Sequence, residues 1–369
     1  MEKVLFSLIR LGLGTGRFEN EDISNLLAFS ERQWFMLEEM SRNQGVSAIV
    51  MDGLQLVIDR IGNEHFKHFE NKAFWSSFIL NWAYGTVEQG YEKGNVRQLS
   101  VICDIQNRWA DAGISMLLMK GQAMGTYYPQ PEHRSPGDID CYLFSDYAKG
   151  NEVAKSWADK VDENWYKHSV ISYRGQTIEN HQFFVHTREG RTSKQLNQQL
   201  CDTLKDVVFD KLHGTEILLP PPMFNALFLT YHAFSHFLEE GLRLKQLLDW
   251  AVFLKQDADK VDWSLFYSWC DKYHFRRFVD IATDVAVNCF GVQINNPKIK
   301  TNSVLTEKVI HSTLYDQDYV FSHSDSEWSK RWHIIMNLIR YRWKYHQIYQ
   351  HSVVRQLWFY FIGYFFKTE

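Results

Sequence analysis

Met119 to Asp140, MKGQAMGTYYPQPEHRSPGDID, decides the reading of this chain. Just before it, Ser115 to Met119 (SMLLM) follows the turn residue Gly113 and predicts a buried strand. Gly121 to Tyr128 is long enough for two helical turns before Pro129 and Pro131 stop it. A loop, Gln130 to Gly137, then leads into Asp138 to Phe144 (DIDCYLF), where Ile139, Cys141 and Leu143 alternate with Asp138, Asp140 and Tyr142, as in a strand. Residues two apart on a strand project to the same face, so the spacing places the Asp138 and Asp140 carboxylates side by side. Two such charges repel unless one protonates or a cation neutralises both. A pair of hard oxygen ligands suits Mg²⁺ or Mn²⁺, and magnesium commonly takes one or two carboxylates together with substrate phosphates. Upstream, Lys120-Gly121 stands where strand passes into helix, a place where backbone N–H groups bind phosphate oxygens.

Outward from this stretch the texture becomes helical. Glu21 to Ala112 carries apolar residues at helical spacing, with a long helix expected from Phe74 to Ala112, broken near Gly90 and Gly94. Downstream, Ser145 to Val161 predicts a helix. His168 to Tyr173 and Thr177 to His186 predict two strands joined as a hairpin at Arg174-Gly175-Gln176. On the second of these strands Glu179 and His181 share a face, so a third carboxylate approaches the Asp138–Asp140 pair across the sheet. After the proline-punctuated Leu218 to Pro222, helices are expected at 223–238, 242–255, 263–273, 276–290 and 328–349. Strands thus occupy only the middle third, and the fold class is α+β: a small mixed sheet flanked by N-terminal and C-terminal helical regions. The expected division is 1–112, 113–217 and 218–369.

Composition narrows the function classes. The 44 acidic residues outnumber the 40 Lys and Arg, which points away from a long nucleic-acid partner. Five cysteines, widely spaced and without a Cys-x-x-Cys pair, read as small buried hydrophobes in a reducing compartment, the cytoplasm. Met1 to Gly16 resembles a secretory leader only superficially, because Arg10 interrupts its apolar run. Leu357 to Phe366 is about half the length of a membrane-spanning helix and is read as a closing helix or strand. Gly12 to Gly16 lacks the strand–helix context of a phosphate loop, and no P-loop motif occurs.

Met119-Lys120-Gly121, Tyr127-Tyr128-Pro129, Arg134, Gly137-Asp138-Ile139-Asp140 and Glu179-Asn180-His181 together resemble the nucleotidyltransferase fold of the polymerase-β-like superfamily. They are similar in particular to a bacterial group of nucleotidyltransferases. The resemblance extends over about residues 115–255 and takes in His232, His236, Gly241, Leu242, Arg243 and Asp249-Trp250. It implies that Asp138, Asp140 and Glu179 bind metal, with Mg²⁺ or Mn²⁺ as cofactor and a nucleoside triphosphate (NTP) as substrate. It further implies that Lys120, Gly121 and Arg134 border the triphosphate. The chain departs from the superfamily in having Gln122 where Ser or Gly usually follows the first glycine.

Other residues divide between site and scaffold. His181 either orients Glu179 or a substrate group, or bonds a sheet neighbour. His232 and His236, at i and i+4, share a helical face, but without the Glu of a His-Glu-x-x-His motif they read as packing against the catalytic unit. Arg243 and Asp249 are assigned to closing the acceptor or nucleotide cleft. The leading functional expectation is a metal-dependent nucleotidyltransferase acting on an acceptor that is a small molecule, a sugar or a protein. The alternatives are an Asp-x-Asp glycosyltransferase and a catalytically inactive nucleotide-binding scaffold.

Overall fold

Apolar spacing in the first hundred residues produces α1 (Glu2–Gly12), α2 (Asn20–Leu27), α3 (Glu31–Asn43), α4 (Ser47–Ile61), α5 (Lys72–Leu80) and α6 (Lys93–Asp111). The structure, a computed structural model, describes residues 1–16, 20–62, 72–187, 190–239, 241–295, 300–316, 336 and 339–349. Between α5 and α6, Asn81–Glu92 is wound as a π-helix. The expected break near Gly90 and Gly94 is therefore a change of helical pitch, not an end of the helix. The glycine-containing end of α1 also has a packing role: Gly12 lies against α4 so closely that a Cβ would stand 2.1 Å from the Ile49 carbonyl oxygen.

The sheet follows. β1 (Leu117–Met119), α7 (Gly121–Gly125), β2 (Ile139–Tyr142), α8 (Tyr147–Ala154), β3 (Lys160–Asp162), β4 (His168–Tyr173) and β5 (Gln176–His181) run in chain order. In space the strand order is β1-β2-β5-β4-β3. Among the described strands of this sheet the β2–β5 pairing is parallel and the other three are antiparallel, so the sheet is mixed. The hairpin between β4 and β5 turns on Arg174 (φ 49°) and Gly175 (φ 72°), with Tyr173 paired to Gln176. Two successive residues with positive φ make the tight turn that matches strand twist. The register is what positions the site: Asp140 lies abreast of Glu179 across β2–β5, and His168 opposite His181 across β4–β5.

Helices resume with α9 (Arg191–Asp202), α10 (Pro222–Glu239), α11 (Leu244–Asp257), α12 (Trp263–Lys272), α13 (Arg276–Asn288) and α14 (Ser303–Tyr315). Alternation in β1 divides the apolar interior. Leu118 joins Ile139, Cys141, Ile171 and Ile178 against Val101, Ile105 and Trp109 of α6. Leu117 and Met119 face the other way, into a larger core shared by α1, α4, α10, α11 and α13. The protein is α+β, with helices flanking a small sheet.

Two expectations need correction. Ser145 to Val161 is not one helix: α8 stops at Ala154, and Lys160–Asp162 forms an edge strand against Val170–Ser172. The strand expected to reach His186 ends at His181, and α9 was not anticipated at all. The helix expected at 328–349 falls largely outside the described residues, although Lys344–Tyr349 within it is helical, and Leu357 to Phe366 lies outside them. All five cysteines are unpaired thiols. No helix among the described residues is long and apolar enough to cross a membrane.

Candidate active site

A cavity of about 630 Å³ opens where the β2–β5–β4 face of the sheet meets α10 and α11. Asp138, Asp140 and Glu179 line it together with Lys120, Gly121, Arg134, Arg243 and Asp249. Asp138 stands one residue before β2, and Asp140 is buried within it. Burial, reinforced by the charges of Glu179 and Asp140, pushes the Asp138 carboxyl above its ordinary range. Around Asp140 burial acts the same way, but the Lys120 ammonium and His181 override it and hold its carboxyl far below that range. Burial pushes Glu179 up as well, but His181 and His168 together bring it below its ordinary value.

Lys120 connects the sheet to α10. It occupies a strained backbone position (φ 48°) directly before α7, and its ammonium lies 2.7 Å from Asp140 Oδ1. The same nitrogen is 2.9 Å from His232 Nε2. An ammonium has no acceptor capacity, so His232 receives this hydrogen bond on an unprotonated nitrogen. Burial, and then the Lys120 charge, push His232 well below its ordinary value, in agreement with a neutral ring. His232 thus braces Lys120, while the His236 ring lies tilted beside it at a ring distance of 4.5 Å.

His181 is fully buried. Its Nδ1 is 3.2 Å from the Phe183 carbonyl oxygen, which can only accept, so Nδ1 carries a proton. Its Nε2 faces two carboxylates, Asp140 Oδ1 at 3.0 Å and Glu179 Oε2 at 3.3 Å. Across the hairpin, His168 Nε2 is 3.5 Å from Glu179 Oε1. Burial pushes His168 down to about 4.

Arg134 and Asp249, both expected at the cleft, meet each other. The guanidinium donates from Nε to Oδ1 and from Nη2 to Oδ2, each at 2.9 Å, and Tyr128 donates to the same carboxylate at 2.8 Å. The neighbouring Tyr127 donates to Asp257 at 2.6 Å, so the Tyr-Tyr pair anchors α7 to α11. Arg243 sits at the N-cap of α11, its backbone N–H bonded to the Gln246 side chain at 2.9 Å.

A family model described as uncharacterised nucleotidyltransferase matches residues 86–291, more than half of the chain. The chain belongs to this family. No curated protein and no solved structure matches it. The matched segment of this nucleotidyltransferase-family chain runs from within the π-helix to just past α13 and contains every cavity residue named above.

Gln122, the departure at the turn, has a structural partner set. Its amide donates to Asn95 Oδ1 at 2.5 Å and Gln98 Oε1 at 3.1 Å on α6. Asn95 in turn donates to the Arg134 carbonyl at 2.9 Å, and Gln98 to the Gly137 carbonyl at 2.5 Å. Two buried amides, Asn95 and Gln98, and the half-buried Gln122 therefore hold the loop that delivers Asp138. Asn95 and Gln98, spaced i and i+3 on the buried face of α6, are polar residues at core positions, and that was the signal for them. His168 and Lys245 also escaped the sequence reading. The hairpin register about Arg174-Gly175 already set His168 opposite His181. Lys245 lines the cavity near Gly137, and burial beside Arg134 pushes its ammonium down to about 8.

Proposed function

We propose that the cavity binds a nucleoside triphosphate and transfers its nucleoside monophosphate to an acceptor that is a small molecule, sugar or protein. An acceptor oxygen attacks the α-phosphorus as the bond to the bridging oxygen breaks, and pyrophosphate leaves. The observation carrying this reading is the convergence of three carboxylates, Asp138, Asp140 and Glu179, beside Lys120 and Lys245 in one cavity. A volume of about 630 Å³ suits a ligand of nucleotide size.

The donor set fits a divalent cation. Burial raises the Asp138 carboxyl and the charges of Glu179 and Asp140 add to it, a repulsion that a cation held by the three acids would relieve. Asp138, Asp140 and Glu179 would hold Mg²⁺ or Mn²⁺, which when bound neutralises charge on the phosphates and on the entering oxygen. Lys120 and Lys245 supply positive charge at the triphosphate, and Lys120 also keeps Asp140 ionised. Arg134 acts through the loop it fixes, with Asp249 as its anchor, while Arg243 stands at the rim.

Asp138→Asn tests the reading. Asp138 is exposed as a residue, so the variant should fold with stability within about 0.5 kcal/mol of wild type. Pyrophosphate release should fall by at least about a hundredfold. Unchanged release would defeat the proposal, and release of nucleoside diphosphate instead would assign the cavity to glycosyl transfer.

A further inference from the structure

Beyond the carboxylates, two imidazoles converge where β2, β5 and β4 lie side by side, His168 lining the cavity and His181 fully buried against Glu179. The ligand atoms of His168, Glu179 and His181 all lie within 4.8 Å of one another. The edges of this cluster are 3.5 Å (His168 Nε2 to Glu179 Oε1), 3.3 Å (His181 Nε2 to Glu179 Oε2) and 3.0 Å (His181 Nε2 to Asp140 Oδ1). Ligands bound at about 2.1 Å from an ion stand about 3.0 Å apart in an octahedron and about 3.4 Å apart in a tetrahedron. The observed edges match those spacings.

Hydrogen-bond accounting points the same way. With the Nδ1 proton of His181 directed at the Phe183 carbonyl, its Nε2 faces two carboxylates, and only a second proton or a cation satisfies that contact. A backbone carbonyl on the remote nitrogen is also the usual orienting partner of a metal-bound histidine. The Nδ1 of His168 is buried and has no hydrogen-bond partner among the described residues.

We infer that His168, Glu179 and His181, closed by Asp140, form a binding site for a divalent transition-metal ion of the zinc type. Imidazole nitrogen favours such ions, whereas Mg²⁺ prefers oxygen alone. The inference goes beyond the transferase reading because the site is assembled without nucleotide, although it shares Glu179 and Asp140 with that reading.

The test uses the full chain, freed of metal with a chelator and titrated with Co²⁺ in the absence of nucleotide. One equivalent should bind with the visible absorption of nitrogen-ligated cobalt. Zn²⁺ should displace it, and a large excess of Mg²⁺ should not. His168→Gln should weaken Co²⁺ binding by about tenfold or more while circular dichroism stays unchanged. X-ray absorption of the zinc-loaded wild type should show imidazole scattering, a readout that needs no variant. An all-oxygen shell, displacement by Mg²⁺ at comparable concentration, or wild-type cobalt affinity in a folded His168→Gln protein would overturn the site. Mg²⁺-dependent triphosphate binding by the same preparations reports on the transferase reading separately: its loss with the cobalt band retained would leave the metal site standing.

Discussion

Replacing Asp249 by Ala isolates what holds the loop before β2 against α11. The Arg134 and Asp249 side chains are only 10% and 8% exposed. Their two 2.9 Å hydrogen bonds therefore operate in a medium where an unpaired charge is expensive. Burial opposes the Arg134 charge, and Asp249 more than restores it. Removing one member of a buried pair typically costs about 3–5 kcal/mol, because the remaining ion keeps its desolvation penalty. The Tyr128 hydroxyl loses its acceptor as well, and an orphaned buried donor costs about 1–3 kcal/mol, which moves the expectation to the upper end of that range. Urea unfolding followed by tryptophan fluorescence measures it, with buried Trp250 reporting from the same helix. Arg134→Met combined with Asp249→Leu should destabilise by much less than the sum of the single changes, since the double variant leaves neither charge stranded. Asp249→Ala within about 1 kcal/mol of wild type, or strict additivity in the cycle, would refute the anchoring role and return Arg134 to direct phosphate contact.

Two pH dependences follow with opposite uses. Burial, with Arg134 adjacent, sets the Lys245 ammonium at about 8, so its charge is present below that value and lost above it. Triphosphate affinity should fall between about pH 7 and about pH 9 in the wild type and be weaker but flatter in Lys245→Met; calorimetric titration of both decides, and equal slopes would exclude Lys245 from the phosphates. His133 lies 2.8 Å from Asp52 and 3.0 Å from Glu92; burial disfavours its charge, yet the two acids prevail and raise its value above the ordinary 6.5. The folded state binds this proton more tightly, so the contribution is full below the ordinary imidazole range and disappears as pH rises through the raised value. Between about pH 6 and about pH 9 the wild-type melting temperature should fall more than that of His133→Gln, and parallel curves would remove His133 from the balance.

Much of the sheet was readable because its strands carry period-two patterns and its hairpin carries a turn with two positive-φ residues. β3 was not readable, since exposed Lys160 and half-exposed Val161 and Asp162 carry no alternation and gain their conformation from pairing with β4. The helix α9 hid for a related reason: Ser193, Leu196 and Leu200 are its buried positions in an otherwise polar run. At the site, Asp138, Asp140 and Glu179 could be placed on one face by counting along two strands. The partnership of Arg134 with Asp249 could not, because it joins a loop to a helix more than a hundred residues away, and nothing local in either segment distinguishes a guanidinium awaiting phosphate from one already matched. Lys120 shows the same limit, since its bond to His232 depends on how α10 docks on the sheet.

The parallel pairing of β2 with β5 makes the proposed site hostage to alignment. Glu179 stands abreast of Asp140 only in the observed register, and a slip of one position would rotate Glu179 to the opposite side and present Asn180 in its stead. Insertions and deletions should accordingly be tolerated in the exposed turn around Glu163–Trp165 and excluded from the four-residue ladder itself. A library of length variants spanning Phe144 to His181 would expose that asymmetry as a sharp boundary at the strand ends.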